Sequence, residues 1–202
     1  MLAPFALAPM ALITAAAPAP AVDPNLAQVQ AHLRGVDSMI ADFAQTDRSG
    51  RVLTGTLTLK KPGKIRFQYE KGVPILIVGD GKSLWFIDYS VRQVQRWPIG
   101  NSPLGILINP DRDISRIAHV VPSLDARGLS VEARDNRHPE YGRITLNFTR
   151  STSGPAGLIL TGWTAIDAQN NRTTVRLSGQ RFNAPVPDNS FRFNDPRPQN
   201  RR

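Results

Sequence analysis

Apolar and polar residues alternate along a stretch of the chain that begins at Leu53. From Leu53 to Leu59, leucines and one glycine occupy the odd-numbered positions, and threonines occupy the even-numbered ones. The same period of two returns at Ile65, Phe67 and Tyr69, which polar residues separate. Because a period of two places successive side chains on opposite faces of a strand, both stretches are predicted to be half-buried β-strands.

Two short apolar runs follow, and neither of them has a polar face. Residues 75–78 and 84–87 are apolar throughout, and residues 79–82 between them contain an Asp-Gly pair. Such a pair between apolar runs is typical of a hairpin turn, so two further strands are predicted here. The same reasoning predicts later strands at residues 129–133, 143–150, 158–167, 173–182 and 191–193.

A helix is predicted before the first of these strands. Asp23 followed by Pro24 has the chemistry of a helix N-terminus, and apolar residues at helical spacing continue to about Gly35. The segment from Met39 onward fits either an extension of this helix or a strand. We favour the strand, because glycine commonly ends helices and Gly35 precedes this segment.

A second helical region is predicted between the two groups of strands. Residues 102–108 begin with Ser-Pro and continue with an apolar run, which indicates a short helix. A further helical turn is predicted at residues 111–117. A helix this short is not stable alone in water, so its apolar surface must pack against the sheet.

These elements predict one mainly β domain. About ten antiparallel strands with helical insertions favour an unclosed β-barrel or strongly curved sheet, covered by a lid of short helices. The 202-residue length is enough for one domain with a substantial core, and no long linker divides it. A continuous apolar face on such a sheet requires a cover, and the nature of that cover is the functional question.

The first 21 residues differ from the rest of the chain. They carry no charged side chain, are rich in Ala, Leu and Pro, and end in Ala-Pro-Ala. A small-x-small ending after an apolar stretch indicates a cleaved export signal, whereas four prolines make a transmembrane helix a poor alternative. We therefore predict a signal peptide at 1–21, a domain at 22–195 and a basic polar tail at 196–202. The chain has no cysteine, so the mature protein would be neither disulfide-bonded nor lipidated through a thioether.

Charge and candidate chemistry point away from nucleic acid and away from catalysis. The formal charge is +9, but the basic residues are dispersed along the strands, which favours a solvated polar surface over a nucleic-acid groove. His32, His119 and His138 have no metal-site spacing. The Gly-Lys-Ser at 81–83 lacks the first glycine of a phosphate-binding loop and lies in a predicted hairpin. No nucleophile and base pair is evident, so we predict neither an enzyme nor a cofactor.

A set of short motifs, in a fixed order, resembles the LolA family of periplasmic lipoprotein carriers. Each motif is weak alone, but together they extend over about residues 25 to 195. The motifs are Asp-Phe-Ala-Gln-Thr at 42–46, Gly-Thr-Leu at 55–57, Lys-Pro-Gly-Lys-Ile-Arg-Phe-Gln-Tyr at 61–69, Val-Gly-Asp-Gly-Lys-Ser-Leu-Trp at 78–85, Ser-Pro-Leu at 102–104, Trp-Thr-Ala-Ile-Asp at 163–167, Asn-Arg-Thr-Thr at 171–174 and Pro-Asp-Asn-Ser-Phe-Arg-Phe at 187–193.

The resemblance implies an unclosed barrel whose hollow accepts acyl chains. It also implies a soluble periplasmic monomer that receives triacylated lipoproteins from an ATP-driven releasing complex in the inner membrane. The acceptor would be an outer-membrane lipoprotein. Candidate residues of the cavity wall are Leu57, Leu59, Ile65, Phe67, Trp85 and Trp163, and candidate residues of the lid are Leu104, Ile106, Leu107 and Ile108. Plain core packing is the alternative for each wall residue.

One position departs from the family pattern. Where the resemblance implies an arginine that latches the lid through its backbone carbonyls, this chain has Lys61. Lysine offers a point charge without the planar guanidinium fork, so we expect a weaker latch or none. Two other functions remain open at this stage. A LolA-like sensor of envelope lipids would normally need a further domain, and a lipid hydrolase would need catalytic residues that the chain lacks.

Overall fold

The computed structural model describes residues 23–99, 104–109, 113–123 and 125–198. The predicted signal peptide and the last four residues of the predicted tail lie outside these ranges. Helix α1 (Pro24–Gly35) begins as expected, with the Asp23 carboxylate accepting a hydrogen bond from the Asn25 amide at 2.8 Å. Among the described residues, no helix is long and apolar enough to cross a membrane.

Eleven strands form one antiparallel sheet. In chain order they are β1 (Ser38–Thr46), β2 (Val52–Lys60), β3 (Lys64–Tyr69), β4 (Ile75–Asp80), β5 (Ser83–Asp88), β6 (Gln93–Pro98), β7 (Ala118–Val121), β8 (Gly128–Arg134), β9 (Arg143–Arg150), β10 (Leu158–Ile166) and β11 (Arg172–Phe182). Helix α2 (Gly105–Ile108) lies between β6 and β7 in the chain.

The strand order is β6-β5-β4-β3-β2-β1-β11-β10-β9-β8-β7, so β6 and β7 form the two edges and the barrel is unclosed. Pairing of β1 with β11 joins the beginning and the end of the domain, with Met39 opposite Phe182. The segment from Met39 is therefore a strand, as favoured from the sequence. These observations confirm the predicted fold class.

Curvature brings distant strands together on one face of the sheet. The rings of Phe67 on β3 and Trp163 on β10 meet edge to face at 6.2 Å, although β2, β1 and β11 lie between their strands. We call this the inner face and the opposite one the outer face. At Gly162, where β10 changes register, φ is 148° and a Cβ atom would lie 2.1 Å from the Val175 carbonyl oxygen. Only glycine fits this close approach of two strands.

Each face has its own apolar cluster. The main core covers the inner face, and α1 and α2 contribute Leu33, Leu107 and Ile108 to it. A smaller cluster lies on the outer face of β4 and β5, where Val186 and Phe191 from the end of the chain cover it. We call residues 184–193 the C-terminal strap. The strap contains a 3-10 turn at Asp188–Phe191, so the strand predicted at residues 191–193 is wrong.

Helix α1 closes one end of the inner face. Its His32 ring contacts Phe148 and Phe182 edge to face, and His32 Nδ1 lies 2.9 Å from the Pro155 carbonyl oxygen. Burial lowers the pKa of His32.

The segment after α2 is described in part. Residues 111 and 112 of the predicted helical turn at 111–117 lie outside the described ranges, and the rest contains a turn in which the Ile114 carbonyl accepts from the amides of Ile117 and Ala118. The four-residue strand β7 follows directly, and the sequence reasoning missed it. A strand this short carries too little alternation to be recognised from its residues alone.

Candidate functional site

A cavity of about 360 Å³ opens on the inner face. It lies between the start of the α2 region, the end of β1, the turn that precedes β9 and the turn that follows β10. Its apolar walls come from both halves of the sheet and from the lid region, namely Phe67, Ile77, Leu84, Trp97, Leu104 and Trp163. The walls therefore combine side chains that only the curvature of the sheet can bring together.

Two aromatic rings of the cavity wall, Phe67 and Trp163, belong to a larger group of packed rings. Phe43 meets Phe67 and Tyr69 edge to face at 5.4 and 5.2 Å, and Phe67 in turn meets Trp163. The Tyr69 hydroxyl donates to Gln45 Oε1 at 2.9 Å, and burial raises the pKa of Tyr69 to about 12. The hydroxyl therefore stays neutral, so this group of rings places no charge next to the apolar wall.

The mouth of the cavity is polar. Tyr141, Asp167 and Asn171 line it on one side. Asp167 accepts hydrogen bonds from the Asn171 amide and side chain, both at 2.8 Å, and these bonds lower the pKa of its carboxyl group. A charged, hydrogen-bonded rim around an apolar interior matches a ligand with an apolar part inside and a polar part in water.

The structure separates the predicted wall residues into three groups. Phe67 and Trp163 line the cavity. Leu57, Leu59 and Ile65 lie on the same inner face but are fully buried in the core behind it. Their packing is that of core residues, which was the alternative interpretation for each.

Trp85 is the clear error among the predicted wall residues. It lies on the outer face, where its indole Nε1 donates to Asp80 Oδ2 at 2.8 Å and its ring meets Phe193 at 5.5 Å. The Arg96 guanidinium lies 5.1 Å from the centre of the same ring. The apolar run at residues 84–87 gave no alternation, because β5 is covered on both faces, and the sequence therefore could not assign a face to Trp85.

Three of the larger apolar wall residues were missed, as were the smaller Ala165 and Val175. Leu84 and Ile77 lie on the inner faces of the two strands without alternation, and Trp97 lies at the end of β6. The pairing of neighbouring strands shows which face these residues occupy, whereas periodicity could not. Once β3 is oriented by its alternation, Phe67 opposite Ile77 places Ile77 on the inner face. Gly79 lies two residues after Ile77 and therefore on the same face of β4. Its pairing with Leu84 places Leu84 on the inner face as well.

Three of the four predicted lid residues have side chains that the structure describes. Leu107 and Ile108 of α2 are buried in the main core, and Leu104 lines the cavity. The side chain of Ile106 lies outside the described part of the structure. The Ile108 carbonyl accepts a hydrogen bond of 2.8 Å from the Gly63 amide in the turn between β2 and β3. The backbone of this turn therefore connects the sheet to the end of α2.

Lys61, at the latch position where we expected a weaker latch or none, does not hydrogen-bond the described part of the lid. Its Nζ atom is buried and has no hydrogen-bond partner in the described structure. Burial lowers its pKa to about 8, and Asp37 raises it in part. The connection to the lid comes instead from Gly63, two residues further along the same turn.

The sequence as a whole was compared with known proteins. The profile of the family described as outer membrane lipoprotein carrier protein LolA matches residues 34–194. The chain belongs to the LolA family. It is 31% identical to the outer-membrane lipoprotein carrier protein of Chromobacterium violaceum over 96% of this chain and 94% of that protein. It is 30% identical to the protein of the same name from Nitrosospira multiformis, over 85% of each.

A solved structure of a LolA superfamily protein from Nitrosomonas europaea is also similar, with a TM-score of 0.46 and 15% identity over 87% of this chain and 99% of that one. The LolA family is a family of carriers and not of enzymes. Within the described ranges, no group of three or more His, Asp or Glu side chains could bind a metal ion.

Proposed function

We propose that this protein carries outer-membrane lipoproteins by enclosing their acyl chains in the inner-face cavity. The observation that carries the proposal is the apolar cavity between Phe67, Trp163 and Leu104, with the lid region as one of its walls. Membership of a family named for lipoprotein carriage supports it. The polar mouth would leave the protein part of the cargo in water.

The energetics of lipid transfer explain why a carrier is needed. Each buried methylene is worth about 0.8 kcal/mol, so one chain of about 16 carbons exposed to water costs on the order of 12 kcal/mol. Free diffusion of an acylated anchor between two membranes is therefore negligible. A carrier must offer an environment as apolar as the bilayer, yet release the cargo at its destination.

The size of the cavity supports a lid that moves when cargo binds. Ligand pockets for drug-sized molecules have volumes of about 300–1,000 Å³, and the cavity of about 360 Å³ lies near the lower limit. Three acyl chains need more room than this. Displacement of α2 would add the space that Leu107 and Ile108 now fill, and the exchange of lid contacts for lipid contacts would keep the net affinity modest.

The route of transfer is part of the proposal. Residues 1–21 would direct export to the periplasm and be removed, leaving residues 22–195 as the carrier domain. The carrier would receive triacylated lipoproteins from an ATP-driven complex in the inner membrane and pass them to an outer-membrane lipoprotein acceptor, acting as a monomer. The predicted tail at 196–202 has no assigned part in this route.

Depletion of the protein in its own cells tests this proposal. Lipoproteins should accumulate in the inner membrane, and a plasmid copy of the wild-type gene should restore their sorting. Ile77→Gln, which places an amide in the cavity wall, should fail to restore it at equal protein levels. Val52→Gln is the matched control, because Val52 is 55% exposed and lies outside the cavity lining.

Two outcomes would contradict the proposal. Normal sorting after depletion would remove the carrier function. Full rescue by Ile77→Gln would show that acyl chains do not bind in this cavity.

A further inference from the structure

The Nζ atom of Lys61 is buried without a hydrogen-bond partner, although the residue as a whole is only partly buried. Lys61 continues the alternation of Leu57 and Leu59, so its side chain leaves the backbone toward the inner face. Its Nζ atom is the one buried side-chain nitrogen or oxygen without a hydrogen-bond partner among the residues that the structure describes. Buried ammonium groups are normally paired, because loss of hydration without compensation is strongly unfavourable.

The charged surroundings of Lys61 do not compensate for its burial. Asp37, at the junction of α1 and β1, raises the pKa of Lys61, but burial is the larger influence and lowers it to about 8. His32 on α1 faces the same region, and the charge of Lys61 lowers the pKa of His32 further. Lys60 and Lys64 contact Asp188 in the strap instead. At neutral pH the ammonium is therefore charged and poorly solvated.

The same turn connects the sheet to the lid. Gly63 donates its amide to the Ile108 carbonyl, so the turn that begins with Lys61 lies against the end of α2. Movement of α2 away from the inner face would let water, or carbonyl oxygens of an incoming lipid anchor, reach the Lys61 side chain. Closure would remove them again.

We propose that Lys61 favours the open state of the lid, because closing α2 buries its ammonium group without a partner. This inference rests on the proposed carrier function and assigns to Lys61 the opposite effect from a latch. A carrier gains from such a residue, because a lid that closes too firmly over an empty cavity would resist loading. Gly63 and the apolar residues of α2 favour the closed state, and Lys61 opposes them.

The sign and size of the effect follow from linkage. Opening restores the ordinary pKa of 10.5 from about 8 in the closed state, so the open state binds more protons between these values. Lower pH therefore favours opening. The lysine can change the opening equilibrium by at most about 300-fold, in full below pH 8 and not at all above about pH 10.5.

Thiol labelling measures lid opening directly, because the chain contains no cysteine of its own. Leu107→Cys places a single thiol in the buried face of α2, where Leu107 is 3% exposed. Its labelling rate, divided by that of the exposed Val52→Cys at each pH, reports the open fraction without any lipid present. Ala133→Cys, buried on β8, should label much more slowly, because it requires wider unfolding.

Added to Leu107→Cys, Lys61→Met should slow the normalised labelling at pH 7 by tenfold or more. The rate of the parent should fall as pH rises from 7 to 10, and that of the Lys61→Met protein should not. Lys61→Gln should lie between the two. Lys60→Met is the matched control, because Lys60 contacts the strap on the outer face, and it should leave the lid rate nearly unchanged.

Faster labelling after Lys61→Met would show that the lysine closes the lid, and an unchanged rate would show that it has no effect on the lid. Equal rates at Leu107→Cys and Ala133→Cys would show that the lid does not open separately. Each of these results overturns the inference. Because no lipid enters the measurement, it is independent of the sorting experiment, which tests the carrier function itself.

Discussion

The two faces of the sheet are covered in chemically different ways. On the inner face, the four-residue helix α2 packs through Leu107 and Ile108, and the Gly63 amide hydrogen-bonds its last carbonyl. On the outer face, the C-terminal strap packs through Val186 and Phe191. Both covers bury apolar residues, but long cationic side chains from the sheet also bind the strap.

These cationic side chains belong to neighbouring strands. Lys60 donates to the Val186 carbonyl and to Asp188, and Lys64 pairs with the same carboxylate at 3.0 Å. Arg66 donates to the carbonyls of Ser190 and Arg192 at 3.2 and 3.0 Å. The comparison suggests that apolar contacts with a single backbone hydrogen bond suit a cover that must exchange with lipid, whereas several side-chain hydrogen bonds and ion pairs suit one that stays closed.

The largest expected effect comes from the strap. Phe191→Ala removes a side chain that is 5% exposed in the outer-face cluster, and the free energy of unfolding should fall by about 3 kcal/mol. Denaturant unfolding followed by tryptophan fluorescence measures this change. Val91→Ala, at a side chain that is 65% exposed, is the control and should change stability by less than about 0.5 kcal/mol. A small effect at Phe191 would mean that the strap is as mobile as the lid.

Arg66→Met should have the next largest effect. It removes two hydrogen bonds to strap carbonyls while keeping the apolar part of the side chain, so a loss of about 1 kcal/mol is expected. Limited proteolysis of the strap should become faster as well. Arg176→Met, at an exposed position on β11, is the matched control and should change neither property. If both variants behave alike, Arg66 does not anchor the strap.

Whether a strand is covered on one face or on both explains which of its features the sequence could predict. Strands with one solvated face alternate, so β2 and β3 were recognised and Phe67 was assigned to the cavity. Strands β4 and β5 are covered on both faces, and their uniform apolarity predicted strands but no direction for Trp85. Only residues 191–193 of the strap were expected to be a strand, because a short run with aromatic residues at alternate positions resembles a strand in periodicity.

Periodicity could not predict the environment of the Lys61 side chain. Its alternation with Leu57 and Leu59 indicates the inner face, but a lysine at a strand end is usually solvated. Only the packed structure shows that its Nζ atom is buried without a partner. The family pattern identified the position and led us to expect a weak latch or none, and the burial of the Nζ atom is the reason for the proposed opening effect.

Leu107→Ala tests the lid with a side chain as buried as Phe191. A lid that opens on its own limits the loss of stability to the free energy of its closure. In fixed cores, Leu→Ala substitutions cost roughly 2 kcal/mol or more. We therefore expect Leu107→Ala to lower the global free energy of unfolding by less than this. Amide hydrogen exchange at Gly63, whose N–H bonds the Ile108 carbonyl, should accelerate in the same variant. A loss of about 3 kcal/mol or more would place α2 in the permanent core and end the distinction between the two covers.

Asp188→Asn should have the smallest effect on stability, and this effect should depend on pH. Hydrogen bonds from Lys60 and Lys64 lower the pKa of the Asp188 carboxyl group from 3.8 to about 2. A lowered carboxyl pKa stabilises the folded protein above the ordinary value, and this contribution disappears as pH falls through about 2. Thermal unfolding of the wild type and the variant should therefore differ slightly at pH 5 and converge near pH 2. Because Asp188 is exposed, added salt should reduce the difference at pH 5. If the two proteins still differ in thermal stability at pH 2 and in high salt, the strap is bound at Asp188 by shape and not by charge. The chemistry of the strap would then be closer to that of the lid.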